Sequence, residues 1–248
     1  MRFKILNVCA LSCFLFMAST TMKAGDDPKF NIGVSVGAGM PMGAFGKSAN
    51  NAANDTSHTN GWAKTGFHFD VNASYYFTNN IGGMLMIGGN MNGFNTSAYI
   101  SANPGTPSTF TAGSYYVGSY LLGPTLRIPL SDKFGITARL LFGLMTVKDS
   151  KQSETWTGAG GTSYTTSSVF NSASTFGYDF GAGVKYGLTD NLGLALNVDY
   201  LGGSPNFTTY TRTTTPSGSG FPDGTSGGHK INMSTSLVNI SIGVVIGF

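Results

Sequence analysis

Cysteine is almost absent from this sequence, and both examples lie near its start. Cys9 and Cys13 fall in an apolar stretch, Ile5–Ala18, that follows the positively charged opening Met1-Arg2-Phe3-Lys4. This layout is typical of a secretory signal peptide. The stretch is also shorter than the run of about 20 apolar residues that a membrane-spanning helix needs.

The small residues after this stretch predict where the signal peptide is removed. Ala24 is the expected last residue of the signal peptide, with Thr20 as the alternative. Lipoprotein processing at Cys13 is disfavoured, because the apolar region before Cys13 is too short. We therefore divide the chain into a signal peptide, residues 1–24, and an exported domain, residues 25–248. The exported domain holds no cysteine, which excludes disulfides and thiolate metal sites.

Charged residues are also few, at 10% of the chain. Arg2, Lys4 and Lys23 belong to the predicted signal peptide, and removing them lowers the basic count from 14 to 11, equal to the 11 acidic residues. A near-neutral domain has no net positive charge to attract nucleic acid, so we expect no nucleic-acid partner. No later segment is apolar enough for a membrane helix.

What the sequence does contain is one short phrase repeated three times: an apolar residue, Thr or Ser, Asp or Asn, Asn or Lys, an apolar residue, and Gly. Each copy lies between runs that alternate apolar with small or polar residues, the mark of a strand with two different faces. Thr, Ser, Asp and Asn bond to nearby backbone and tolerate tight turns, so each copy is predicted to be a hairpin turn. The copies are Phe77–Gly82, Leu130–Gly135 and Leu188–Gly193.

Three hairpins and one alternating run at each end make eight predicted strands. One face of each strand is apolar, as with Phe67 and Phe69, and the other is small or polar, as with His68 and Asp70. Lipid outside and a narrow polar lumen inside explain both faces, and closure satisfies every backbone group within lipid. We predict an all-β fold, an eight-stranded antiparallel transmembrane up-and-down β-barrel. Pro124 falls within the fourth strand and predicts a bulge there.

Four long segments rich in Ser, Thr, Gly and Asn separate the hairpins and are predicted to be loops. In membrane barrels short turns face the periplasm and long loops face the outside, so both termini are expected in the periplasm. Aromatic residues cluster towards both ends of the strands, which indicates two interfacial girdles. The long segments cover approximately residues 41–64, 95–114, 148–174 and 202–232.

With these features the chain resembles the small bacterial outer-membrane barrel proteins of the OmpX and OmpA-barrel type. The resemblance covers residues 28–248 and rests on the turn phrase, the alternating strands and the closing run Leu237–Phe248. It implies a monomer in the bacterial outer membrane after signal-dependent export, in contact with lipid and lipopolysaccharide and without a cofactor. It also implies that the barrel-assembly machinery reads Phe248 as an assembly signal. Cell-wall anchoring is not carried over, because the sequence lacks the peptidoglycan-binding domain of full-length OmpA proteins.

Seven ionisable side chains are predicted to face the lumen. Three bases, three acids and one histidine fit a paired network that fills the lumen, because a buried charge is costly unless it is paired. A selective ion path or a catalytic centre is the alternative. The seven residues are His68, Asp70, Arg127, Arg139, Asp179, Lys185 and Asp199.

Within this set, Arg139 is expected to pair with Asp70, Asp199 or both. Counted from the turns, Arg139 lies five residues along its strand, and each acid lies seven residues along its own. At a rise of about 3.3 Å per residue and a tilt of about 40°, the heights differ by roughly 5 Å, a gap that an arginine side chain can cover.

Enzyme and metal sites are weakly supported by the remaining residues. His68, Asp70 and Ser74 share one face and have the residue types of a hydrolase triad. However, a lipid-active site must meet the outer leaflet, whereas His68 is predicted to face the lumen. His58 and His229 lie in separate long segments with no cysteine nearby, which disfavours zinc. We expect no enzymatic activity and no metal.

The leading hypothesis is a non-enzymatic integral outer-membrane barrel with a largely filled lumen and long extracellular loops for surface contacts. Alternatives are a narrow channel for small or apolar solutes and a lipid-modifying outer-membrane enzyme. Aromatic residues in the long segments suit contact with an extracellular sugar or protein, although ordinary loop packing also explains them. These residues are Trp62, Tyr99, Trp156, Tyr164, Tyr210 and Phe221.

Overall fold

The computed structural model describes residues 28–47, 60–102, 109–158, 160–216 and 223–248. The predicted signal peptide, His58 and Phe221 lie outside the described residues. Among the residues that are described, no helix has the length and apolar character needed to cross a membrane, a finding that does not concern strands.

Thirteen strands and two short helices form within the described ranges. The helices are α1, Gly43–Gly46, and α2, Thr96–Ala102. The strands are β1, Phe30–Met42; β2, Gly66–Tyr76; β3, Ile81–Gly93; β4, Thr111–Ala112; β5, Ser114–Pro129; β6, Phe134–Lys148; β7, Gln152–Thr157; β8, Ser163–Phe170; β9, Ala173–Gly187; β10, Leu192–Gly203; β11, Asn206–Thr215; β12, Gly224–Asn232; and β13, Thr235–Gly247.

Eight of these strands close into an antiparallel barrel. Around the wall the order is β1, β2, β3, β5, β6, β9, β10 and β13, and β13 pairs with β1 to close the ring. Each barrel strand is paired with the barrel strands before and after it in the chain, which is up-and-down topology. The predicted fold class and strand number are confirmed.

The three repeated phrases form the same hairpin turn at one end of the barrel, here called the turn end. In each turn a hydroxyl oxygen accepts a hydrogen bond from the backbone N–H three residues later, as Thr78 does from Ile81 at 2.9 Å. Ser131 and Thr189 accept from Phe134 and Leu192 in the same way, at 3.1 Å in both turns. The shared side-chain bond explains why Thr or Ser recurs at this position.

The outer face of the barrel is an apolar belt. Large apolar side chains remain exposed there in an alternating pattern, for example Leu122 at 64% and Ile242 at 58%. A soluble protein buries such residues, so a continuous exposed belt on a closed barrel is the surface of a membrane-spanning protein. Aromatic rings pair on the outer face, as with Phe134 and Tyr186 at 4.9 Å and Phe180 and Tyr200 at 4.9 Å.

The inner face changes character along the barrel. Near its middle the buried residues are polar, but towards the end opposite the turns they are apolar and merge into one hydrophobic cluster. The prediction of a small, polar inner face along whole strands is therefore wrong for this region. The period-two pattern does not predict this apolar interior, because consecutive apolar residues, such as Leu140 and Leu141, lie on both faces of a strand. The apolar residues are Val117, Leu121, Leu141, Met145, Leu201 and Leu237.

The long segments are more ordered than predicted. Five strands outside the barrel form a second sheet, in the order β12, β11, β8, β7 and β4, at what we call the sheet end. Helix α1 lies at the same end, where Phe45 is fully buried and its ring lies 5.1 Å from that of Tyr115. The runs of Thr and Ser that indicated loops instead form paired strands, in which hydroxyl groups such as those of Ser153 and Ser167 bond across the ladder at 2.8 Å.

Pro124 does not cause the predicted bulge. Strand β5 keeps one register with β6 on both sides of the proline, since Leu122 pairs with Phe142 and Thr125 pairs with Arg139. On its other edge, β5 pairs without interruption with β3. The proline removes a ladder hydrogen bond, and the long flanking strands hold the register.

Candidate functional site

An ion pair crosses the barrel interior between two strands that are not neighbours. Arg139 on β6 donates from Nε to Asp199 Oδ1 on β10 at 2.7 Å, and its Nη2 donates to Asp199 Oδ2. Strand β9 lies between them, and its residue in register with both is Gly181. A Cβ at Gly181 would fall 1.7 Å from Asp199 Oδ1, so the bare backbone provides the space in which the two side chains meet.

The next row towards the sheet end holds a single acid among apolar side chains. Asp179 is fully buried and pairs laterally with Leu141 on β6 and Leu201 on β10. Its Oδ1 lies 3.9 Å from Arg139 Nε, an ion-pair distance but beyond hydrogen-bond range. Arg139 therefore stands between a bonded carboxylate and a second carboxylate at longer range.

On the opposite wall, His68 and Asp70 belong to a polar chain along β2 and β3. His68 Nε2 lies 3.3 Å from Asp70 Oδ2, and His68 Nδ1 lies 3.2 Å from Asn90 Oδ1. Asn72 Nδ2 donates to Asp70 Oδ1 at 2.8 Å. Asp70 is therefore bonded within its own wall, and Asp199 is the acid to which Arg139 hydrogen-bonds.

The candidate triad of His68, Asp70 and Ser74 is not assembled. Ser74 lies six residues beyond His68 on the same strand, which is roughly 20 Å at about 3.3 Å per residue. A nucleophile and its base must lie within hydrogen-bond reach, so these three residues do not form a hydrolase centre. Among the described residues, no group of three or more His, Cys, Asp or Glu is placed to hold a metal ion.

A cavity of about 710 Å³ occupies the turn end of the interior and extends as far as Arg139. Lys185 and Arg127 line it. Arg127 donates to the carbonyl oxygens of Asn79 at 2.6 Å and Pro28 at 2.8 Å, and its guanidinium lies 4.1 Å from the ring centre of Tyr76. Of the seven predicted interior residues, Arg127 and Lys185 thus line the turn-end cavity, Arg139, Asp179 and Asp199 form a central charged group, and His68 and Asp70 belong to the polar chain on the opposite wall.

The aromatic residues of the long segments fall into two settings. Trp62 is buried, with its ring 5.4 Å from that of Tyr99 in an edge contact, so both contribute to packing at the sheet end. Trp156 and Tyr164 stack on the hairpin between β7 and β8 at 4.7 Å. Tyr210 packs against Phe170 at 5.0 Å. The side chain of His229 lies outside the described residues.

Asp149, which the sequence analysis did not single out, lies where β6 leaves the barrel. Its carboxylate accepts hydrogen bonds from the backbone N–H groups of Ser150 at 2.8 Å and Phe170 at 3.0 Å. Burial raises the pKa of Asp149 to about 6, and the two hydrogen bonds oppose that rise only in part. The sequence offers little signal for this residue, because Asp is also common in exposed loops.

Comparison with known proteins finds only distant structural similarity. No protein-family model matches the chain, and a search of curated proteins found no significant match. Among solved structures it is similar to the Neisserial surface protein A, at 13% identity over 89% of this chain and 97% of the other, with a TM-score of 0.47. It is also similar to OprG of Pseudomonas aeruginosa, at 10% identity over 90% and 99% with a TM-score of 0.45, and to Ail of Yersinia pestis, at 13% identity over 89% and 99% with a TM-score of 0.43. These likenesses are too distant to carry a function.

The barrel's own geometry decides its class and location. Eight antiparallel strands, closed without an edge and surrounded by an apolar belt, satisfy the requirements for crossing a bilayer with strands. The chain is therefore a transmembrane protein whose membrane-spanning part is a closed eight-stranded up-and-down β-barrel.

Proposed function

We propose that this outer-membrane barrel is a non-conducting, non-enzymatic surface protein whose second sheet makes contacts outside the cell. Short turns face the periplasm in such barrels, so the turn end is assigned to the periplasm and the sheet end to the exterior. The apolar belt then contacts outer-membrane lipid and lipopolysaccharide, and the second sheet stands above the membrane surface.

The observation that carries this proposal is the apolar cluster in the sheet-end part of the barrel interior. Leu121, Leu141 and Leu237 are each fully buried there, and Phe45 of α1 is buried at the same end. An ion would lose its hydration shell among these side chains and gain no polar partner, which is prohibitively costly. Below them, the pair of Arg139 and Asp199 adds a polar layer across the interior.

Planar-bilayer recording of the purified full chain tests the proposal. We expect no steady conductance steps, whereas a porin-type barrel added to the same membrane gives them and shows that the membrane responds. Reproducible steps from the wild-type chain would contradict a filled lumen.

The narrow channel is the second candidate, because the 710 Å³ turn-end cavity opens a path into the barrel as far as Arg139. For apolar solutes, which carry no current, uptake into vesicles containing the protein is the matching measurement. Uptake equal to that of protein-free vesicles supports the filled barrel, and faster uptake supports the channel.

The extracellular role is supported by the surface of the second sheet. Hydroxyl pairs run across its strands, including Thr155 with Thr165 and Thr211 with Thr225, each at 3.0 Å. Trp156 and Tyr164 stack beside them. Hydroxyl groups and rings that are already held by such contacts lose less conformational entropy on binding than free side chains do, which suits contact with another surface.

A further inference from the structure

A second cavity, of about 250 Å³, lies where the barrel strands meet the second sheet. We call it the junction cavity. It is separate from the turn-end cavity, with which it shares no lining residue. Barrel strand β5 contributes Tyr115 to its lining, the second sheet contributes Gln152, Phe170, Phe207 and Ile231, and helix α2 and the connecting segments contribute the rest.

Aromatic rings form most of the wall of the junction cavity. On the barrel side, Trp62 and Phe94 each make an edge contact with Tyr99, at 5.4 and 5.5 Å. On the side of the second sheet, Phe170 and Phe207 lie 6.0 Å apart. Rings held in edge contacts by their neighbours keep their orientation, so the cavity presents fixed aromatic surfaces.

Trp62 is held in a strained conformation within this wall. Its φ of 53° lies in the left-handed region, which a bulky side chain rarely adopts. The flanking backbone fixes it there, because Gly61 N–H donates to Ala44 at 2.8 Å and Ala63 N–H donates to Phe45 at 3.0 Å. Strain that the surrounding structure maintains is concentrated at functional sites, so this conformation marks the cavity as a candidate binding site.

Asp149 is the only carboxylate among the described residues that line the junction cavity, and no Lys or Arg lines it with Asp149. The two lysines closest to Asp149 in the sequence, Lys148 and Lys151, do not line the cavity. The Lys148 ammonium lies 5.7 Å from the ring centre of Tyr116 on the outer face, and Lys151 is exposed. The backbone N–H groups of Ser150 and Phe170 orient the carboxylate, and among the described lining residues no cationic side chain neutralises it.

We propose that the junction cavity binds a small organic cation of the quaternary or methylated ammonium class. Such a cation is attracted to the faces of aromatic rings, and Asp149 provides the opposite charge. Pockets for drug-sized ligands measure about 300–1,000 Å³, so a cavity of this size suits a smaller molecule. An anion is disfavoured by the carboxylate.

The titration of Asp149 gives this site a characteristic pH dependence. Among the described residues that line the cavity, the titratable groups besides Asp149 are the phenols of Tyr99 and Tyr115, and neither carries a positive charge. Burial raises the pKa of Asp149 to about 6, so the carboxylate is ionised near neutral pH and becomes protonated below that value. Cation binding should therefore weaken as the pH falls below about 6.

Choline is a suitable probe, with the purified full chain held in an uncharged maltoside detergent. The sequence has two tryptophans, Trp62 and Trp156, so a Trp156→Phe background leaves Trp62 in the cavity wall as the fluorescent reporter. We expect choline to change this fluorescence saturably. The uncharged isostere 3,3-dimethylbutan-1-ol, which has nearly the same shape, should bind at least roughly tenfold more weakly.

Two substitutions test the role of the carboxylate. Asp149→Asn keeps the shape of the side chain and should weaken choline binding by roughly tenfold or more, whereas Asp132→Asn, at an exposed turn, should leave it unchanged. The proposal is overturned if choline does not bind, if Asp149→Asn binds choline as well as wild type does, or if the uncharged isostere binds equally well. The last comparison uses only the wild-type carboxylate and decides the matter even if Asp149→Asn does not fold.

Discussion

Arg139 and Asp199 meet across the backbone of Gly181, with 2.7 Å between Arg139 Nε and Asp199 Oδ1. Each side chain starts from a strand paired to β9, and the glycine between them leaves the intervening position empty. The pair ties together two strands that share no backbone hydrogen bond, and it forms the boundary between the turn-end cavity and the apolar cluster.

Replacing Arg139 by methionine should destabilise the barrel strongly. The variant leaves the buried Asp199 without its cation, and the cost of an uncompensated buried charge is about 3–5 kcal/mol. Urea unfolding in lipid vesicles measures this change in the free energy of unfolding. A loss below about 1 kcal/mol, the scale of an exposed ion pair, would indicate a water-filled interior.

The double variant Arg139→Met with Asp199→Leu provides the matched control. It removes both charges and leaves apolar side chains in their place, which is often neutral relative to a buried ion pair. We expect it to recover part of the stability lost in Arg139→Met, because Asp179, the second carboxylate near Arg139, still lacks its cation. Equal destabilisation of the single and double variants would mean that packing around Arg139, rather than charge, is what the substitution disturbs.

Gly181→Ala should disrupt the ion pair without removing either partner. The new Cβ would lie 1.7 Å from Asp199 Oδ1 and 3.0 Å from Arg139 Nε, so the side chains must shift. Overpacking of this kind costs about 1–3 kcal/mol. Gly83→Ala is the control, because its Cβ meets nothing closer than 3.6 Å. The prediction fails if urea unfolding gives the two alanine variants the same stability.

The raised pKa of Asp149 predicts that the sheet end is more stable in mild acid. The folded-state pKa is about 6, above the ordinary value of 3.8, so between these values the folded state binds more protons than the unfolded state does. Stability of this region should fall as the pH rises from about 4 to about 6, and stay level above that. Limited proteolysis of the second sheet at several pH values measures the stability of this region. Asp149→Asn should remove this pH dependence, and an unchanged profile in that variant would assign it to another group.

Labelling of intact cells checks which end of the barrel faces outwards. The exported domain is predicted to hold no cysteine, so single substitutions introduce unique reporters. A membrane-impermeant maleimide should label Thr157→Cys, at the exposed end of β7, and should not label Asp132→Cys in a short turn until the cells are opened. The reverse pattern would invert the topology.

Phe248 should matter more for assembly than for the stability of the finished barrel. It closes the seam with Phe30, through backbone hydrogen bonds of 2.7 and 3.2 Å and a ring contact at 6.0 Å. We expect Phe248→Ala to lower the amount of barrel in the outer membrane, while the barrel that does assemble unfolds in urea like wild type. Val244→Ala, a lipid-facing change on β13, serves as the comparison. Equal amounts of both variants in the membrane would argue against an assembly signal at Phe248.

The sequence contains most of the information about the barrel wall because the period of two and the turn phrase are local. Whether a residue such as Phe69 or Asp70 faces lipid or lumen depends only on its parity along one strand, and the Thr or Ser of each turn bonds three residues ahead. The pairing of Arg139 with Asp70 or Asp199 could be predicted for the same reason, because the height of each residue in the barrel can be counted from its turn.

The remaining features depend on contacts between distant segments. Leu121, Leu141 and Leu237 face inward and pack into one cluster only once β5, β6 and β13 stand in the same ring, and the sequence shows each of them beside another apolar residue. The Thr-rich and Ser-rich runs become strands because β7, β8 and β11 pair with one another, which satisfies backbone groups that a loop would leave to water. The face on which a strand residue lies and the position of each turn depend on neighbouring residues, so the sequence by itself determined the barrel wall. The apolar filling of the barrel interior and the junction cavity depend on pairing between distant strands, so only the tertiary structure decided them.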